Sequence, residues 1–121
     1  MDFPEEIKKA AQTLGKSLHQ DDYLRGYLEA VEAFQADPEA RELEEKLYAT
    51  YEALLARQGA GEQISREEIQ AFYDLRRQAQ LHPLISKRDQ ALQFIKPYLA
   101  EVADEISASL GVDYTALARP A

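Results

Sequence analysis

Apolar positions in the last third of the chain fall on one stripe: Ile85, Leu92, Ile95, Leu99, Val102 and Ile106 are separated by threes, fours and their sum, the spacing of a coiled-coil seam. The stripe sits between Pro83 and Gly111 and predicts a helix of 27 residues, Leu84 to Leu110, a rod of roughly 40 Å. A compact globule of this chain length has a radius of gyration of about 14 Å and a diameter near 35 Å. The expectation is therefore an elongated molecule whose seam is closed in part by a second copy. Pro97 lies inside the stretch and removes the amide that would bond the Gln93 carbonyl, a defect of about 3 kcal/mol in an ideal helix. Because Leu92 and Ile95 stay in phase with Leu99 and Val102 across it, the reading is one helix kinked at Pro97 rather than two. Arg88 falls on the seam phase itself, where a charged side chain sets register or partner choice at some cost in stability.

Upstream, four more helical segments follow from their punctuation. The first starts near Pro4 and carries Ile7, Ala11, Leu14 and Leu18. At Gln20 the stripe slips, as a break or a kink, and Asp21 or Asp22 caps a second segment with Leu24, Leu28, Val31 and Phe34 on one face. Asp37-Pro38 then opens a long helix with Leu43, Leu47, Tyr51 and Leu54 inward. Gly59-Ala60-Gly61 ends it, and Ser65 followed by Glu68 reads as a capping box for a helix carrying Ile69, Phe72, Leu75 and Ala79. Pro83 turns the chain into the final rod. No stretch shows the period-two alternation of a strand. The fold class is thus all-α, an elongated bundle of four to five helices in a single domain over residues 1–111. The tail, 112–121, has Pro120 and a terminal position that favour fraying.

Composition narrows the function classes. The 121 residues are 45% hydrophobic, enough for one domain to bury about two-thirds of its unfolded surface without staples. The chain has no cysteine, which excludes disulfides, iron–sulfur ligation and thiolate chemistry and fits a reducing, cytoplasmic setting. The acidic start, MDFPEEIKK, is unlike an export signal, and no apolar run has membrane-spanning length. With 22 acidic and 14 basic side chains the net charge is −8, which repels nucleic acid, so DNA binding is not expected and a basic or neutral protein partner is favoured.

The sequence carries no recognisable catalytic or ligand-binding constellation. The residues three before His19 and His82 are Lys16 and Ala79, so the Glu-x-x-His pairs of carboxylate-bridged metal bundles are missing, as is His-Glu-x-x-His. His82 beside Pro83 reads as a helix-end cap serving the carbonyl end of the helix before it. Gly59-Ala60-Gly61 has no preceding strand and no following Gly-Lys-Ser/Thr, so it is a linker and not a phosphate loop. Adjacent carboxylates at Glu44-Glu45, Glu67-Glu68 and Asp104-Glu105 diverge by about 100° on a helix and do not form acid–base dyads. The expectation is a non-enzymatic protein with no cofactor, no metal, no small-molecule substrate and no catalytic residues. Arg76, Arg77, Lys87 and Arg88 flank the Pro83 corner. They form either a basic rim for an acidic partner surface or an RNA phosphate, or internal salt bridges with their stems over the core.

The order of these parts resembles the YlbF/YmcA-like family of small bacterial helical proteins. The residues carrying it are Ala11 to Leu14 leading to Asp22-Tyr23, Phe34 to Ala40, the Gly61 to Ser65 connection, and His82-Pro83-Leu84-Ile85 before the last helix, over roughly residues 8 to 110. The resemblance implies a helical bundle that forms homo- or hetero-dimers without catalysis. Members regulate competence, sporulation and biofilm formation, and some act in a complex that modifies messenger-RNA processing by ribonuclease Y. Cysteines that hold iron–sulfur clusters in the best-known members have no counterpart here, and Ser86-Lys87-Arg88-Asp89 replaces the more hydrophobic stretch that commonly follows the Pro-Leu-Ile turn. The expected function is a cytoplasmic regulator or adaptor working as a homodimer, with Ile85, Leu92, Ile95, Leu99, Val102 and Ile106 as packing seam. A holdase-like chaperone or scaffold is the alternative.

Overall fold

The computed structural model describes residues 2–120 and contains six helices: α1 Glu5–His19, α2 Asp22–Gln35, α3 Pro38–Gly59, α4 Arg66–Leu81, α5 Pro83–Leu110 and α6 Tyr114–Ala118. No strand occurs among the described residues. The starts of α2, α3 and α4 have local causes. Asp21 Oδ1 accepts from the Tyr23 amide at 2.8 Å, so Asp21 is the cap of α2, and the chain breaks at Gln20 rather than bending through it. Asp37 accepts from the Ala40 amide at 3.0 Å with Pro38 as the first helical residue of α3. Ser65 Oγ accepts from the Glu68 amide and donates to the Glu68 carboxylate, both at 3.1 Å, a side-chain variant of the capping box.

The end of α3 needs glycine. Gly61 adopts φ +82; its amide donates to the Gln58 carbonyl and that of Glu62 to Arg57, the paired bonds of a Schellman turn that an L side chain would strain. The last long helix is continuous through Pro97 and spans 28 residues. Beyond it the tail forms α6, one short helix more than the sequence reading counted. Asp113 caps it, and Ser107 Oγ accepts from the Tyr114 amide at 2.8 Å.

The chain divides into two compact units. The central unit, 28–89, combines the second half of α2 with α3, α4 and the start of α5. Its core is the buried set Phe34, Ala40, Ala79 and Ile85, with Leu43, Leu47 and Leu84 packed against it. Ala40 of α3 and Ala79 of α4 share this cluster with Phe34, and their small side chains suit the contact between the two helices. The terminal unit, 2–27 with 90–120, holds α1, the start of α2, the rest of α5 and α6. Here Ile95 is the one buried residue among those described. No residue of α1 is buried, and Ile7 and Leu14 on its apolar face are exposed.

Candidate interaction surface

The α5 seam is shielded unevenly. Ile85 and Ile95 are buried, Leu92, Val102 and Ile106 are half-buried, and Leu99 is 40% exposed. Alternate burial along a single stripe of one helix is what an amphipathic face shows when its neighbours cover it only in part.

The four basic residues expected as a rim separate. Arg76 and Arg77 are exposed and line a shallow depression on α4 with Gln70, Tyr73 and Gln80; Lys87 is also exposed. Arg88 instead turns onto the core. Its guanidinium lies 4.4 Å from the centre of the Phe34 ring and forms a two-pronged pair with the Glu44 carboxylate, one prong 2.9 Å long. Asp89 accepts from the same group. With only 17% of the side chain exposed, Arg88 is held charged chiefly by the hydrogen bond to Glu44, which raises its pKa against the opposing effect of burial. The seam-phase cation thus fixes α5 against α3 within the central unit.

A second ion pair closes the other end of the α3–α4 hairpin. Arg57 donates to both carboxylate oxygens of Glu68, which Ser65 also holds. The Arg57 hydrogen bond lowers the Glu68 pKa, and Glu68 in turn raises that of Arg57. Both Glu44 and Glu68 belong to adjacent-carboxylate pairs, and in each pair it is one member that takes an arginine, as the divergence of neighbouring helical positions requires.

His82 corrects the sequence expectation. Its ring accepts at Nδ1 from the Leu84 amide at 3.2 Å, and its carbonyl accepts from Ser86. Its side chain therefore caps the amide end of α5 as an acceptor, while at the carbonyl end of α4 it is the His82 backbone amide that donates, to the Ala79 carbonyl. Proline at position 83 has no amide to offer, so the next free N–H belongs to Leu84, within reach of a ring two residues back.

This corner also brings Asp37, Glu39 and His82 together, with one potential ligand atom of each within 4.8 Å of the others. Local motif tests miss the trio because the start of α3 and the α4–α5 corner are far apart in sequence; the only signal was that both Asp37 and His82 adjoin a proline. Of the three, His82 already uses its Nδ1 to accept from the Leu84 amide.

In the terminal unit, the Tyr98 hydroxyl donates to Asp21 at 3.1 Å, and the Tyr23 and Tyr98 rings lie 6.0 Å apart. The bond to the Asp21 carboxylate, helped by desolvation, pushes the Tyr98 phenol above its usual pKa. Phe94 and Tyr98 were not singled out from sequence, since they lie off the seam phase, and Tyr23 entered only among the residues carrying the family resemblance.

The grooves on both units are surface depressions lined by helix side chains. Among the described residues no helix is long and apolar enough to cross a membrane. Comparison with known families places this architecture: the family model described as control of competence regulator ComK, YlbF/YmcA, matches residues 7–111. The chain belongs to the YlbF/YmcA family. No curated protein and no solved structure matches it. The YlbF/YmcA match begins just inside α1 and ends at Gly111, the left-handed residue that closes α5, so it takes in both units and leaves out only α6. Membership supports a regulatory role.

Proposed function

We propose that this YlbF/YmcA-family protein is a non-enzymatic cytoplasmic adaptor that works by helix-to-helix association, first with a second copy of itself, and that it modulates ribonuclease Y-dependent messenger-RNA processing within a larger protein complex. The observation that carries the association is the poverty of the terminal unit: Ile95 is buried, while Ile7, Leu14 and Leu99 stay exposed on helices that belong to it. Some 57 residues around one buried side chain cannot offset their ordering entropy, at about 1.5 kcal/mol per residue. A covering partner supplies the missing apolar contact. The seam residues left half-buried or exposed, Leu92, Leu99, Val102 and Ile106, supply the dimer face, and Arg76, Arg77 and Lys87 remain exposed as a basic rim for an acidic surface.

Sedimentation equilibrium of the purified protein at micromolar concentration tests the first step. A dimer is expected, and a monomer at that concentration removes the reading. Affinity capture from native cytoplasm, with and without ribonuclease treatment, tests the second. Ribonuclease-resistant recovery of the ribonuclease Y machinery is expected, and its absence in both arms removes that part.

A further inference from the structure

Beside the seam, α5 carries a second stripe of a different character. Phe94, Tyr98, Glu101 and Glu105 each immediately precede a seam residue, so they lie about 100° round the helix from it and stay open when the seam is covered. Tyr23 meets this stripe from α2, ring to ring with Tyr98. Together with Pro97 they line a groove of about 320 Å3, in which Phe94 is 71% and Tyr23 61% exposed. Tyr98 and Glu101 also line the next depression, about 460 Å3, where Asp104 and Glu105 join them. Neither surface is lined by any cationic side chain.

Three kinds of group converge here. The rings offer π faces, with Tyr98 held in place by its hydrogen bond to Asp21. Glu101, Asp104 and Glu105 offer negative charge. Gln93 also lines the groove, and Pro97, having no amide, withholds the usual α-helical donor from its carbonyl. All three are complementary to a guanidinium or ammonium group, which stacks on rings, pairs with carboxylates and only donates hydrogen bonds.

We infer that this groove docks a basic, arginine- or lysine-bearing segment of a protein partner, with a cationic side chain lying on Phe94 and Tyr98 and its neighbours paired with the carboxylates toward Glu105. A second copy is a poor occupant, since the seam by which it associates is apolar, and nucleic acid is repelled by the same carboxylates. The inference rests on the adaptor reading but not on the dimer.

Fluorescence anisotropy of a fluorescein-labelled twelve-residue peptide of alternating arginine and glycine, with the full chain, tests it. Binding is expected that weakens with salt. F94A, which leaves charge unchanged, should raise Kd about fivefold and E101K at least about tenfold. E45K, an equal charge change on the exposed face of α3, should leave it within about twofold, with circular dichroism confirming helicity throughout. Equal loss in E101K and E45K, no effect of F94A, or no binding by wild type overturns the inference. So do groove perturbations that grow with protein concentration in the absence of peptide. Since peptide binding and sedimentation are read separately, the docking groove and the dimer fail independently.

Discussion

Arg88 on α5 grips Glu44 on α3 through both of its terminal guanidinium nitrogens while lying across the Phe34 ring. One side chain thereby joins three helices of the central unit, and does so by charge, hydrogen bonding and ring contact at once. Both partners are mostly withdrawn from water, at 17% and 20% side-chain exposure, so loss of either leaves the other charge poorly solvated.

Arg88→Ala and Glu44→Ala should each lower unfolding free energy by about 2 kcal/mol, between the values typical of exposed and of fully buried pairs. The double variant R88M/E44L, which removes both charges and keeps volume, should recover most of that loss. Urea titration of the four proteins checks the coupling.

Acid should loosen the α3–α4 hairpin. Glu68 has its pKa lowered by Arg57, so its folded-state value lies below its unfolded one, near 4.3. The stabilisation it gives is present above that unfolded value and fades as pH falls through the lower folded one. Thermal melts between pH 6 and pH 2 should show a steeper acid decline for wild type than for E68Q.

Replacing His82 by alanine removes the acceptor for the Leu84 amide and should cost about 1 kcal/mol, the usual worth of an N-cap. H82N, whose side-chain oxygen can accept the same bond, should restore most of it, whereas H82K, a donor, should not. If lysine served as well as asparagine, the ring would be acting on the carbonyl end of α4 after all.

Helix order was legible because its determinants are local. Asp37-Pro38, Ser65 with Glu68, and Gly61 each act within a few residues, and the phase of Leu92 to Val102 was enough to carry α5 through Pro97. The direction of the His82 cap was misread because a ring between two helices can serve either end, and only the proton on its nitrogen decides which. The Arg88–Glu44 pair spans 44 positions and Tyr98–Asp21 spans 77; no periodicity relates residues so far apart. The aromatic groove was invisible for the same reason, with the added one that Phe94 is an apolar residue on a polar phase, which reads in isolation as noise.

The bareness of α1 has one further consequence. A helix of 15 residues is marginal in water by itself, and no residue of this one is buried, so its amide protons should be traded for deuterium quickly in the lone chain and slowly once another surface lies against it. Deuterium uptake across α1 is therefore a built-in gauge of whether the protein is alone or engaged.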